Sequence, residues 1–295
     1  MQNLVRMMDE NGVLCALAVD STEIVREMHA LHNTSKVVSA ALGRLLTGAS
    51  LMGSMLKGEQ DTITLNIRAD GPCSPLTAVS DSRGFVRGYA GKERVDLPLN
   101  GKGKLDVSGA VGKNGTLTVV KDLGLREPYV GQVPLVSGEI AEDITAYYAA
   151  SEQTPTVCAL GVLTDKETEE ILCAGGFMIQ LLPTAMDEDI DKVEKGLQNI
   201  RPVTTMLFEG MTPEQICRAV LPEFQLSVLD TAETRYFCPC SRERMERALL
   251  STGKQALSEM AEDEQTEVTC NFCNRKYVFT KAEMLALLKS ATDKS

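Results

Sequence analysis

Four cysteines near the C-terminal end constrain this chain more than any other feature. They come as Cys238-Pro239-Cys240, a gap of 29 residues (241–269), and Cys270-Asn271-Phe272-Cys273. A C-x-C bend and a C-x-x-C bend each present two sulfurs on one side of a tight turn. Brought together they supply the four corners of a tetrahedral thiolate site, which suits zinc because that ion is borderline-soft and has no geometric demand of its own. The spacing is a variant of the common paired C-x-x-C ribbon, with one gap shortened and a long insert.

Four thiolates allow two kinds of chemistry. A thiolate is a metal ligand, and it is also the nucleophile that peroxide or hypochlorous acid meets. Zinc with four thiolates carries two formal negative charges, and Arg242, Arg244, Arg275 and Lys276 lie close enough in sequence to temper them. Cysteines two or three residues apart can also reach disulfide geometry at some cost in strain, and strained disulfides are the reducible, regulatory kind. A redox switch and a permanent structural zinc both fit the residues at this point.

The remainder of the chain is that of an ordinary globular protein, with 295 residues, 43% hydrophobic and 24% charged. No apolar secretory segment opens it. Cys15, Cys73, Cys158, Cys173 and Cys217 stand singly in apolar contexts and read as small core residues, so a reducing compartment, the cytoplasm, is expected. The net charge is −11, and residues 184–237 alone hold 10 acidic against 5 basic side chains. No segment has the basic excess that phosphate neutralisation requires, which argues against nucleic acid as a partner.

The pattern before residue 184 is α+β, with mainly antiparallel sheet around a long buried helix. Strands are expected over 4–8 and 13–19 around the turn Asp9-Glu10-Asn11-Gly12, then a helix over 22–31. His29 and His32, the two histidines of the chain, read as cations near that helix's C-terminus. An Ala/Leu/Gly-rich helix is expected over 35–57. Arg44 at its middle makes a buried helix of a globular domain a better reading than a membrane span. Strands follow over 62–69, 75–80, 84–90, 104–107 and 115–121, a helix over 137–153, and strands over 156–163 and 170–182. Gly175-Gly176 in the last of these marks a bulge or a close backbone approach. Residues 109–114 imitate a phosphate loop, but Val107 and Asn114 stand where Gly and Ser/Thr are needed, so the segment reads as a turn. No nucleophile–base pairing is visible, and an enzyme is not expected.

Residues 184–237 change character. An acidic amphipathic helix is expected over 186–200, with Ile190, Val193, Leu197 and Ile200 on one stripe, and a capping box at Thr212-Pro213-Glu214-Gln215 opens another through Val220. In 238–295, Ser241 caps a helix to Leu250, strands over 267–270 and 276–279 flank the second cysteine pair, and Thr280-Lys281-Ala282-Glu283 opens a helix to about Lys289. So few large apolar residues fall here that metal binding is expected to supply much of the folding free energy. Three segments result: a core domain over 1–183, a helical linker over 184–237 and a small α+β zinc module over 238–295.

Phe237-Cys238-Pro239-Cys240-Ser241-Arg242-Glu243-Arg244 and Cys270-Asn271-Phe272-Cys273 resemble the paired zinc motifs of the heat shock protein 33 family. Ala69-Asp70-Gly71-Pro72, the stretch Ser151-Glu152-Gln153-Thr154-Pro155-Thr156 and the run from Ala174 to Pro183 match the same family pattern, so the resemblance spans essentially the whole chain. Lys36 departs from it, standing where members often carry proline. The resemblance implies a cytoplasmic, ATP-independent holdase, kept inactive while zinc sits on Cys238, Cys240, Cys270 and Cys273. It further implies that oxidation forms the disulfides Cys238–Cys240 and Cys270–Cys273 with loss of zinc. The module and a metastable linker then unfold, apolar surface binds unfolding client proteins, and the oxidised form dimerises. A constitutive zinc-stabilised adaptor is the alternative. A thiol oxidoreductase is a third reading, which lacks the βαβ context a C-x-x-C redox motif needs.

Overall fold

The computed structural model describes residues 2–198 and 200–293, with no side-chain description for 291–293. The chain divides into two compact units, Met1–Phe237 and Cys238–Ser295.

The first unit opens with β1 (Leu4–Asp9) and β2 (Leu14–Asp20), joined by a turn in which Gly12 takes φ +68°. Helices α1 (Thr22–His32) and α2 (Lys36–Gly53) follow, then strands β3 (Thr62–Ala69), β4 (Leu76–Asp81) and β5 (Val86–Ala90). The chain continues through α3 (Val107–Val111), β6 (Gly115–Asp122), β7 (Tyr129–Pro134) and α4 (Ala141–Tyr147), which runs into a π-turn at Tyr148–Glu152. It then passes through β8 (Thr156–Thr164), β9 (Ile171–Leu181), α5 (Asp187–Gln198), α6 (Val203–Phe208), α7 (Pro213–Val220) and β10 (Leu226–Ala232). Two five-stranded antiparallel sheets result, ordered β10-β1-β2-β9-β8 and β5-β4-β3-β6-β7.

Helix α2 lies between the sheets, packed on β8 and β9 of one and β4 and β5 of the other. Of its 18 residues, 16 are buried. Glycines let it sit that deep: a Cβ at Gly48 would lie 2.6 Å from Ile144 Cδ1. Arg44, the charge at mid-helix, pairs with Glu139 at 2.6 Å, so a cation persists in the interior because its partner accompanies it. No helix among the described residues is long and apolar enough to cross a membrane.

The outer face of the first sheet carries α5, α6 and α7. Val193, Met206, Ile216 and Val220 pack there against Val5, Met7, Ala16 and Phe177. The glycine pair of β9 serves both contacts. A Cβ at Gly175 would meet Leu207 Cδ1 of α6 at 2.5 Å, and one at Gly176 would meet Leu160 of β8 at 2.6 Å and Thr47 of α2 at 3.2 Å. Close approach, one of the two expectations for this pair, is what is found.

Several expected elements differ. Residues 104–107 are not a strand: Asp106 accepts from the Gly109 amide at 3.0 Å and caps α3 instead. The expected helix over 137–153 starts only at Ala141, because the buried Asp143 carboxylate gathers the amides of Val136 (2.7 Å), Ser137 (3.1 Å) and Ile140 (2.9 Å) and holds Ile140 at φ +73°. The long helix over 35–57 ends at Gly53, where a Cβ would meet Ser80 of β4. The imitation phosphate loop is α3 followed by a turn. The amides of Lys113 and Asn114 bond the Asp70 carboxylate at 3.1 and 3.2 Å, so the loop is closed by a carboxylate of the chain itself. On the acidic helix, Val193 is buried but Ile190 is 37% exposed, and Asn199 lies outside the described residues. Strands β7 and β10 and helix α6 are additions. Beyond β10 the chain crosses to β5, where Tyr236 is buried and its hydroxyl donates to the Gly88 carbonyl at 3.0 Å.

The second unit holds α8 (Arg242–Ser251), α9 (Lys254–Met260), β11 (Gln265–Thr269), β12 (Lys276–Thr280) and α10 (Lys281–Asp293). The Thr280/Glu283 box forms as expected, with the Thr280 amide on Glu283 Oε2 at 2.8 Å. Its core is small: Leu249, Leu257, Ala261, Phe279 and Met284 are the buried apolar side chains of its cluster.

Candidate metal centre

The four cysteines are carried by two short backbone devices. Pro239 separates Cys238 from Cys240, and Ser241 follows in extended conformation, its hydroxyl accepting from the Arg244 amide at 3.3 Å, so Cys240 is fixed at the very start of α8. At the other pair, β11 ends and the chain folds back. The Cys270 carbonyl accepts from the amides of Cys273 (3.3 Å) and Asn274 (2.8 Å), Asn274 takes φ +56°, and the Cys270 amide reaches the Arg275 carbonyl at 2.9 Å. This turn re-enters β12 in register, Thr269 facing Lys276.

The two devices meet. Cys238 Sγ lies 3.7 Å from Cys270 Sγ, Cys240 Sγ lies 3.4 Å from Cys273 Sγ, and all four sulfurs fall within 4.8 Å of one another. A tetrahedron of sulfurs at the zinc–sulfur distance of about 2.3 Å has edges of about 3.8 Å, so the donor set fits a tetrahedral thiophilic ion. Cys270 is buried and the other three are half-buried.

The electrostatics point the same way. Burial raises the Cys238 thiol well above the ordinary range, and the neighbouring sulfurs of Cys273 and Cys270 raise it further. Burial likewise pushes Cys273 up to about 11. At Cys240 burial also raises, but hydrogen bonds from Tyr277 and the other three thiols outweigh it and leave this thiol below the ordinary range. Four sulfurs this close cannot all ionise by themselves, and a divalent cation is what makes the fully ionised set favourable.

Of the cations expected near the sulfurs, Arg275 has that reach, its guanidinium interacting with Tyr277, Cys240 and Cys273. Arg242 is committed elsewhere. It pairs with Glu283 at 2.7 Å, donates to the Val278 carbonyl at 3.0 Å and lies 4.3 Å over the Phe279 ring. Lys276 pairs with Glu267 at 2.8 Å. The site residue that sequence reasoning did not find is Tyr277, whose hydroxyl donates to Cys240 Sγ at 3.1 Å. Strand alternation placing it on the same face as buried Phe279 was the available signal.

The remaining cysteines lie in the first unit, and burial raises them: Cys73 and Cys173 to about 11, Cys158 and Cys217 to about 12. So raised, these thiols and Cys15 stay protonated at neutral pH; Cys73, Cys173 and Cys217 are buried, and Cys15 and Cys158 are half-buried against the core. His29 Nδ1 lies 3.1 Å from Ser39 Oγ and His32 Nε2 lies 3.4 Å from the Tyr236 hydroxyl, so both histidines belong to hydroxyl contacts of the first unit.

Known proteins resemble this chain over nearly all of their length. The family described as Hsp33 protein matches residues 2–280. The 33 kDa chaperonin of Lachnoclostridium phytofermentans is 51% identical over 282 residues, covering 95% of this chain and 96% of that one. The 33 kDa chaperonin of Clostridioides difficile is 46% identical over 287 residues, covering 97% and 98%. The crystal structure of the 33 kDa chaperonin, a heat shock protein 33 homolog, from Thermotoga maritima superposes with a TM-score of 0.89 at 39% identity, over 99% of this chain and 100% of that one. With that likeness running from the α2-centred core to the four clustered sulfurs, the chain belongs to the Hsp33 family, a family of chaperones and not of enzymes.

Proposed function

We propose that this chaperone is an ATP-independent holdase whose activity is governed by oxidation of Cys238, Cys240, Cys270 and Cys273. One observation carries the proposal: four sulfurs within 4.8 Å of one another are built into a unit whose apolar cluster has five buried side chains among the described residues. Zinc, when bound by the four thiolates, supplies the cross-link and the charge compensation that so small a core lacks. Each cysteine pair then acts as a two-electron donor. Its two thiolates form one S–S bond while one peroxide loses its O–O bond, takes up two protons and leaves as two waters. The disulfides are Cys238–Cys240 and Cys270–Cys273, and a disulfide sulfur is no longer a thiolate ligand.

Residues 184–237 form the responsive segment of this scheme, between a core over 1–183 and the switch module over 238–295. Helix α5 buries only Val193 in twelve residues, while α6 and α7 cover apolar positions of β1, β2 and β9. When the module unfolds, the C-terminal end of this segment loses its restraint, and its undocking uncovers Met7, Ala16 and Phe177 for an unfolding client. The same exposed surface supports dimerisation of the oxidised form, and nine thiols in a chain of this kind suit the cytoplasm.

The test is to follow metal release with a chromogenic chelator during peroxide treatment while measuring suppression of aggregation of a thermally unfolding client. Suppression should appear only with release. Equal suppression by reduced and oxidised protein would instead mark a constitutive adaptor.

A further inference from the structure

The sulfurs do not share the same surroundings. Tyr277, on β12, places its hydroxyl 3.1 Å from Cys240 Sγ, and the Arg275 guanidinium interacts electrostatically with both groups. The phenol donates its one proton and the sulfur accepts it. Arg275 also meets the site through its backbone, its carbonyl accepting from the Cys270 amide at 2.9 Å. The ring of Tyr277 is half-buried against the small core around Phe279, which fixes where its hydroxyl points.

We infer that Tyr277 is a positioning residue of the metal centre whose hydrogen bond holds Cys240 as a ligand and lowers its reactivity toward electrophiles, so that it raises the dose of oxidant the centre tolerates. A donor aimed at a thiolate stabilises the anion as a ligand and occupies lone-pair density that an attacking electrophile needs. Groups that orient and tune metal ligands in this way commonly change metal affinity or reactivity by 10- to 100-fold when removed. Cys240 has such a side-chain donor 37 residues away in sequence, and it comes from the strand that follows the opposite cysteine pair.

The inference takes its biological meaning from the redox-switch proposal, but its chemistry is measured without it. Reduced, zinc-reconstituted full-length protein is treated with iodoacetamide. Each reacting thiolate forms a bond to the methylene carbon and iodide departs with the electrons of the C–I bond. Rates at Cys240 and Cys273 are read by peptide mass spectrometry. Tyr277→Phe, which keeps the ring in its packing, should raise the Cys240 rate relative to Cys273 by about tenfold. An unchanged Cys240 to Cys273 ratio in Tyr277→Phe, or a common rise at both sulfurs that signals general loosening, overturns the inference. Peroxide-driven zinc release from the wild-type protein is recorded in parallel. Its failure would sink the redox switch, while the alkylation ratio would still decide whether Tyr277 tunes Cys240.

Discussion

The sulfurs of Cys240 and Cys273 stand 3.4 Å apart although 33 residues separate them in the chain. Such a contact between two half-buried thiols has no stabilising value of its own, since sulfur packs as well against carbon. It becomes favourable when a cation binds both.

Removing one sulfur should therefore cost far more than one side chain's packing. Cys270→Ser is expected to abolish tight zinc binding and to release α8–α10 from their fold, detected as lost ellipticity and new protease cleavage within 238–293. Cys158→Ser, half-buried against the core of the first unit, should leave zinc content and the redox response intact. The opposite pattern would place the switch elsewhere.

Metal removal should separate the two units energetically. A strong chelator applied to the reduced protein should abolish the cooperative transition of residues 238–293, whose core has five buried side chains among the described residues, and leave a transition from the first unit with its two five-stranded sheets. Differential scanning calorimetry reads both. One unchanged transition would show that the module folds without metal.

Asp143 provides a test that has nothing to do with the metal. Its buried carboxylate accepts from four amides at 2.7, 3.1, 3.4 and 2.9 Å, so Asp143→Ala should leave those donors without a partner and destabilise the first unit by about 3 kcal/mol. Urea unfolding measures this, and zinc content should not change.

The core thiols set an alkaline limit. Cys217, raised by burial from 9.0 to about 12, binds its proton more tightly folded than unfolded. Its contribution to stability is fully present below about pH 9 and is lost as pH rises through 12, because the unfolded chain gives up the proton first. Cys217→Ala should flatten the fall in first-unit stability between pH 9 and 12. An unchanged slope would contradict the burial of this thiol.

How much of this was legible in the sequence depended on distance along the chain. The Thr212/Gln215 and Thr280/Glu283 boxes form as expected because each is complete within four residues. Strand β10 was not legible: Val228 and Leu229 are 42% and 52% exposed, so no buried alternation marks it, and it is a strand because β1 pairs with it. Strand β7 is an edge with Val130 exposed, hidden for the same reason. The sulfur cluster was legible because cysteine pairs are rare and their chemistry narrow. The Tyr277 contact to Cys240 was not, since a strand tyrosine reads as core until the opposite turn is placed.

The most direct measurement takes purified full-length protein, reduced and then titrated with peroxide, and records zinc release, disulfide formation and client aggregation on the same sample. About one zinc per chain should be present at the start and leave as Cys238–Cys240 and Cys270–Cys273 disulfides form, with aggregation suppressed in proportion. A reduced protein that contains no zinc, or one that suppresses aggregation fully before any thiol is oxidised, would contradict the account.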